Sequence, residues 1–329
     1  MIDDIEFMQH IATGYAKLGR VRTLSYRHNS RVLVYQKDKV KLYHYRAMTK
    51  DITNRPLLVV FATVNRPEIL DLFPERSFIR GLLEAGQDVY LLDWGYPEAK
   101  DSLTSIGDYV HTYLHGCVEF IQQSQDIKKI DLLGICQGGL LCLCYTVLYQ
   151  HIKNLILIST PVDFQTNDNV VSHLLRRFVT EKLTSNIPGE WLTQFFIGLR
   201  PFELIGKKYL RYVDQVEDTE KTDKFLLVEK WLYDAPDQTR QSFCELIQDF
   251  YQENKLIKNQ IYLNYQQVDL KKLAIPVLNI TAKYDEIVPA SASNVLKHYI
   301  SATDYTELSF ASGHIGIYIS EKIGKDIPT

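Results

Sequence analysis

The chain has 329 residues, 46% of them hydrophobic and 23% charged, with a formal net charge of -3, the profile of a soluble globular protein long enough for one large domain or a core with an insertion. No basic excess points to nucleic acid, and the near balance of charge gives no reason to invoke anionic membranes. The N-terminus Met1-Ile2-Asp3-Asp4-Ile5-Glu6 is acidic where a signal peptide would be basic, and no apolar run reaches the roughly 18 residues that span a bilayer, so a cytoplasmic protein is expected.

Short apolar runs rich in β-branched residues alternate with longer helical patterns, the signature of an α/β protein with a mostly parallel sheet wrapped by helices. Runs at 31–35 and 40–46 flank a Lys37-Asp38 turn and read as an antiparallel hairpin. Further strands are expected at 57–62, 88–94, 129–135, 155–160, 277–282 and 305–310, which makes eight. Between 160 and 275 this rhythm stops, and the sequence becomes helical and amphipathic, with aromatic-rich stretches such as Trp191-Leu192-Thr193-Gln194-Phe195-Phe196. An insertion between two core strands, ending at Ile275-Pro276, reads as a helical cap that controls access at the carboxyl edge of the sheet; an ordinary second domain with no gating role is the alternative. The expected division is core at 1–163, cap at 164–274 and core again at 275–329.

The run 129–135 enters Leu133-Gly134-Ile135-Cys136-Gln137-Gly138-Gly139 and a buried-helix pattern follows. A G-x-nucleophile-x-G turn in that context projects its central residue at the strand's end, beside the first free N–H groups of the helix, which suits acyl transfer. The alternative for Cys136 is a small buried residue in a Gly-rich turn. α/β-hydrolase chemistry orders nucleophile, acid and histidine along the chain, each on a loop after a strand. Asp285 follows the run 277–282, and His314 follows the run 305–310 within Gly313-His314-Ile315-Gly316. An imidazole can take the proton of a thiol that is otherwise only a few per cent ionised at neutral pH, and a carboxylate can orient the imidazole. Singly, Asp285 could cap a helix near Pro289 and His314 could be a surface histidine; together with Cys136 they form a constellation. Glu286 competes with Asp285, but its side chain should point a different way. An oxyanion site should combine the N–H after the nucleophile, that of Gln137, with one from the loop Thr63-Val64-Asn65-Arg66-Pro67, Val64 being the expected donor. Asn65 and Arg66 read equally well as turn residues.

The remaining cysteines, Cys117, Cys142, Cys144 and Cys244, make the total five, an odd number with no C-x-x-C pair. Reduced thiols acting as core filler fit this better than disulfides. No metal site and no cofactor is expected. His10, His28, His44, His111, His115, His151, His173 and His298 lie in polar or helical surroundings with no recurring partner, so they read as solvated or structural.

The elbow Gly134-Ile135-Cys136-Gln137-Gly138-Gly139 resembles the G-x-C-x-G-G box of polyhydroxyalkanoate synthases, where cysteine replaces the lipase serine. The likeness extends to Val64-Asn65-Arg66-Pro67, Asp93-Trp94-Gly95-Tyr96-Pro97, Thr160-Pro161-Val162-Asp163-Phe164, Trp231 through Gln238, Phe250-Tyr251-Gln252-Glu253-Asn254, and the Asp285 and His314 segments. It therefore covers most of the chain from about Leu57 onward. The resemblance implies an α/β-hydrolase fold with an eight-stranded sheet and a helical cap. It implies a granule-associated catalytic subunit that polymerises (R)-3-hydroxyacyl-CoA, 3-hydroxybutyryl-CoA above all, through an acyl-Cys136 intermediate. His314 would be the general base, and Asp285 would help to activate the 3-hydroxyl, through His314 or directly. The short N-terminus resembles class III or class IV subunits, which work with a second subunit (PhaE or PhaR type), and a homodimer is implied as well. Family members usually continue past the position of Ile327-Pro328 into a final helix, whereas this chain stops at Thr329, so a trimmed chain or a missing helix is implied. The rival activity on the same fold is a thioesterase or esterase that passes the acyl group to water. A silent granule-binding protein is a rival of another class.

Overall fold

The computed structural model describes residues 4–26, 28–53, 55–73, 77–199 and 201–320; Ile327-Pro328 and the chain's end lie outside them. The eight apolar runs all become strands of one sheet. β1 (Arg31–Lys37) and β2 (Val40–Tyr45) form the antiparallel hairpin, reversing at Asp38 with φ 53°. β3 (Pro56–Val60), β4 (Asp88–Asp93), β5 (Ile130–Ile135) and β6 (Ile152–Ile158) follow. A two-stranded hairpin of β7 (Tyr262–Leu263) and β8 (Gln266–Gln267) stands apart from the sheet, and β9 (Val277–Ala282) and β10 (Tyr305–Phe310) complete it. The order is β1-β2-β4-β3-β5-β6-β9-β10, with every pair from β4 to β10 parallel. This is the eight-stranded α/β architecture expected from the sequence.

A parallel strand covered on both faces reads as an unbroken apolar run. β3 does so: Leu58 and Val60 face one core with Leu132, Leu155 and Leu157, while Leu57 and Val59 face a second with Leu91, Leu133 and Ile135. α1 (Asp4–Leu18) packs against the insertion, accepting the Tyr212 hydroxyl at the Gly14 carbonyl, 3.0 Å away. α2 (Phe78–Glu84) starts where the Ser77 hydroxyl accepts the Arg80 N–H at 2.9 Å, a side-chain cap for one of the unpaired donors of the first turn. α3 (Ile106–Asp108) opens on a Ser105–Asp108 capping box and runs through a π-helical turn at Tyr109–Leu114 into α4 (His115–Gln125). α5 (Gln137–Leu148) is buried continuously from Gly138 to Val147, as a helix apolar on all sides must be.

The residues between β6 and β9 carry α6 (Val170–Leu175), α7 (Gly189–Leu199), α8 (Lys208–Asp214), α9 (Thr219–Leu232) and α10 (Arg240–Glu245). Phe164, Phe250, Leu256, Ile261, Leu270 and Leu273 share the core of Leu58 and α5. α11 (Ala290–Asn294) and α12 (Gly316–Ile319) follow β9 and β10. No helix among the described residues is long and apolar enough to cross a membrane.

Candidate active site

β5 ends at Ile135 and α5 begins at Gln137, so the whole reversal falls on Cys136, which takes φ 55° and ψ -125°. A non-glycine residue in such a sparsely populated region costs of order 1–3 kcal/mol and persists only where its surroundings over-determine it. Here the Cys136 N–H donates to the Ile158 carbonyl at 2.9 Å, and the Cys136 carbonyl accepts from Gly139 N–H at 3.0 Å. The flanking glycines are a packing condition. A Cβ on Gly134 would meet the Gly139 Cα, one on Gly138 the Val60 and Phe61 carbonyls, and one on Gly139 the Thr160 hydroxyl.

Cys136 is half-buried, whereas Cys117, Cys142 and Cys144 are fully enclosed. Burial alone pushes the Cys117 thiol up to about 12. It dominates at Cys144 as well, which also reaches about 12. These three thiols are core filler, as the sequence reading expects.

Because β9 and β10 are adjacent and parallel, their carboxyl ends lie side by side. Two backbone hydrogen bonds tie the loops that follow, from Lys283 N–H to the Phe310 carbonyl and from Tyr284 N–H to the Ser312 carbonyl, both 2.8 Å. Asp285 and His314 meet there: His314 Nδ1 donates to Asp285 Oδ2 at 2.7 Å. The other oxygen, Oδ1, accepts the N–H groups of Ile287 at 3.0 Å and Val288 at 2.9 Å, so the carboxylate is fully engaged and cannot swing. Glu286 is exposed, which separates it from its neighbour. Burial disfavours a proton on His314, but the charges of Asp285 and Cys136, and hydrogen bonds to both, outweigh it and hold the imidazole well above its ordinary pKa.

Cys136 stands where two cavities meet. The larger, about 340 Å³, is walled by apolar side chains such as Leu140, Val171, Leu174, Phe195 and Ile247. The smaller, about 90 Å³, includes His314, Ala62, Trp231 and Tyr318. Val64 lines both cavities, and Asp285 lines neither. Gln137 lines the larger one and, as the first residue of α5, brings an N–H that has no partner within the helix.

Arg66, for which a plain turn residue is one of two sequence readings, is a buried ion-pair partner. It makes a bidentate pair with Asp93 at 2.6 and 2.8 Å, reaches Glu68 at 3.1 Å and lies under the Tyr96 ring. Its carbonyl accepts the Trp231 indole N–H at 2.7 Å. Trp231, Tyr251 and Tyr318 also border the cavities; Trp231 and Tyr251 stand in motif-like stretches of the sequence, whereas nothing in the sequence marks Tyr318. Several of the other histidines are structural, with definite side-chain partners. His44 pairs with Asp88 at 2.7 Å. His111, His115 and His151 share the hydroxyls of Tyr149 and Tyr145, because α4, α5 and the start of β6 converge there. Among the described residues no group of three His, Cys, Asp or Glu side chains is placed to hold a metal.

Residues 26–82 match the family model described as poly-beta-hydroxybutyrate polymerase (PhaC) N-terminus, and residues 66–320 match that of the alpha/beta hydrolase fold. The chain is 41% identical to the poly(3-hydroxyalkanoate) polymerase subunit PhaC of Allochromatium vinosum, over 98% of this chain and 93% of that protein. It is 43% identical to the PhaC subunit of Thiocystis violacea, over 89% of this chain and 84% of that protein. Among solved structures, a bacterial membrane phospholipase A superposes with a TM-score of 0.54 at 14% identity, covering 98% of this chain and 90% of that one; at that identity the likeness is one of fold.

Proposed function

The chain belongs to the poly(3-hydroxyalkanoate) polymerase subunit PhaC family, and from that premise we propose that it polymerises (R)-3-hydroxyacyl groups, 3-hydroxybutyryl above all, from their CoA thioesters. The observation that carries this reading is the half-buried Cys136, on a strained elbow at the meeting of two apolar cavities, beside a histidine held by a buried carboxylate. The Cys136 sulfur gives its proton to His314 and attacks the thioester carbonyl; the carbon–sulfur bond to CoA breaks, and CoA leaves with the proton from His314. For elongation, a 3-hydroxyl gives its proton to His314 and attacks the acyl-cysteine. The new ester bond forms as the bond to Cys136 breaks, and His314 returns the proton to the departing sulfur. Asp285 works through His314, since it faces neither cavity. The N–H groups of Gln137 and Val64 hold the oxyanion in both steps.

A polymerase must keep water from the acyl-cysteine. We assign that task to the cap, residues 164–274, whose Leu174, Leu192 and Phe195 line the larger cavity. The reading includes a second synthase subunit of the class III (PhaE) or class IV (PhaR) type, a homodimeric catalytic subunit, and residence on cytoplasmic polyester granules, in line with the near full-length match to the Allochromatium subunit. The test is intact-mass analysis of the protein incubated with 3-hydroxybutyryl-CoA, with and without a candidate second subunit. One or more hydroxybutyryl units on Cys136, with polymer released on turnover, are expected. CoA release with free 3-hydroxybutyrate and no polymer would make the protein a thioesterase on this fold. No covalent labelling of Cys136 would leave a silent granule-binding protein.

A further inference from the structure

One polar cluster bordering the larger cavity has more acceptors than protons. The Thr63 hydroxyl lies 2.8 Å from Gln137 Oε1 and 2.6 Å from Gln238 Oε1, and a hydroxyl has one proton to give. Neither amide is placed to turn and supply the missing donor. Gln137 Oε1 is held by the Thr63 N–H at 3.2 Å, and Gln238 keeps its Oε1 toward the hydroxyl because its Nε2 donates to the Thr63 carbonyl at 2.8 Å. Thr63 and Gln238 are 5% and 4% exposed. The hydroxyl therefore serves one glutamine at a time.

The two glutamines come from different parts of the molecule. Gln137 opens α5 next to Cys136. Gln238 lies in the insertion between β6 and β9, its backbone paired with Ile187 in both directions at 2.9 Å. Thr63 immediately precedes Val64, and its N–H, carbonyl and hydroxyl are all engaged by these two side chains. The direction in which the loop after β3 presents its next N–H is thus set by one group from the elbow and one from the insertion.

We propose that Thr63 and Gln238 are positioning residues that hold the Val64 N–H against the reacting carbonyl and make its placement depend on the insertion. The backbone of Thr63 is tied to both sides, and its hydroxyl proton adds a second bond to the elbow when it goes to Gln137 or to the insertion when it goes to Gln238. This rests on the reading of Cys136 as nucleophile and of Val64 as an oxyanion donor.

The test compares the wild type with Thr63→Val, Gln238→Ala and Thr63→Ser, using 3-hydroxybutyryl-CoA as acyl donor and iodoacetamide as a second probe of Cys136. Loss of one oxyanion donor costs about 10²–10³ in kcat, and a displaced donor should cost somewhat less. Thr63→Val and Gln238→Ala are therefore expected to lower kcat about 30- to 100-fold with KM changed by less than about threefold, the split that marks an interaction made in the transition state. Thr63→Ser keeps the hydroxyl and should stay within about threefold of the wild type. Alkylation by iodoacetamide forms no oxyanion, so its rate at Cys136 should be unchanged in all three variants. Unchanged kcat in Thr63→Val and Gln238→Ala, or alkylation falling as steeply as acyl transfer, overturns the proposal. A wild type that takes no acyl group from the thioester, yet is alkylated normally, overturns the polymerase reading and this proposal with it. Should Thr63→Val fail to fold, Gln238→Ala decides.

Discussion

Asp285→Asn separates the two chemical steps, because they ask different amounts of the same imidazole. The substitution keeps the shape of the side chain but removes the charge 2.7 Å from His314 Nδ1. Unit charges centred about 4 Å apart interact by about 4 kcal/mol at an effective dielectric constant near 20. The His314 pKa should fall, and an amide in place of the carboxylate no longer fixes the tautomer in which the ring acts as a base. Acylation tolerates this, because a thiol with no base at all is still a few per cent ionised at pH 7. Its rate should drop by no more than about thirtyfold and recover toward pH 9 as the thiol ionises unaided. Elongation has no such fallback, since an unassisted hydroxyl, like water, does not ionise at any accessible pH. It should lose the full general-base contribution of about 10²–10⁴ at every accessible pH. Rapid-quench measurement of the first CoA released, set against steady-state polymer formation, reads the two steps separately. Equal losses in both, or a recovery of elongation at pH 9 that matches acylation, would refute the reasoning.

Cys136→Ala should abolish both the acyl-enzyme mass increment and polymer, and it should lower the His314 pKa, because one of the groups raising it is gone; NMR titration of labelled histidine checks the second point. Linkage gives a further sign: His314 has a raised folded-state pKa, so its contribution to stability is fully present below the unfolded value of about 6.5 and is lost as pH rises through the folded value. Urea titrations should accordingly show the stability gap between wild type and His314→Gln narrowing from pH 6 to pH 10, and a widening gap would contradict it. Asp93→Asn strands the buried Arg66 guanidinium with Glu68 alone, at 3.1 Å, and should cost about 3 kcal/mol, the lower end for breaking a buried pair; a loss below about 1 kcal/mol by urea unfolding would mean that the pair is not the loop's anchor. Iodoacetamide should label Cys136 first in the folded protein and leave Cys117, Cys142 and Cys144 untouched until it unfolds, as peptide mass mapping would show.

The sheet was legible because its central strands are covered on both faces, which leaves a sequence such as that of β3 with no polar interruption. β6 begins at Ile152, earlier than its apolar run suggests, because Lys153 is exposed and Asn154 is held by the Asp131 carboxylate at 2.9 Å. The convergence of Asp285 with His314 could be anticipated because each closely follows a strand, and neighbouring parallel strands deliver their ends to one edge. The same rule reaches Arg66 and Asp93, at the ends of the parallel neighbours β3 and β4, but none joins Thr63 to Gln238, 175 positions on. That pair exists only after the insertion has folded back, and no local pattern encodes where it lands. Tyr145 and Tyr149, which claim His111, His115 and His151, lie outside the insertion, on contacts between neighbouring helices that no local periodicity marks.

The elbow's backbone conformation depends on Gly134, Gly138 and Gly139 and on hydrogen bonds from the chain itself, none of which involves the sulfur of Cys136. Scaffold and reagent are therefore separable: Cys136→Ser exchanges a single heteroatom and asks nothing new of the fold. On this architecture the passage between serine and thiol chemistry is a change of nucleophile and leaving group with almost no folding barrier. What must change along with it is the surrounding access, for water on one route and for a chain-end hydroxyl on the other.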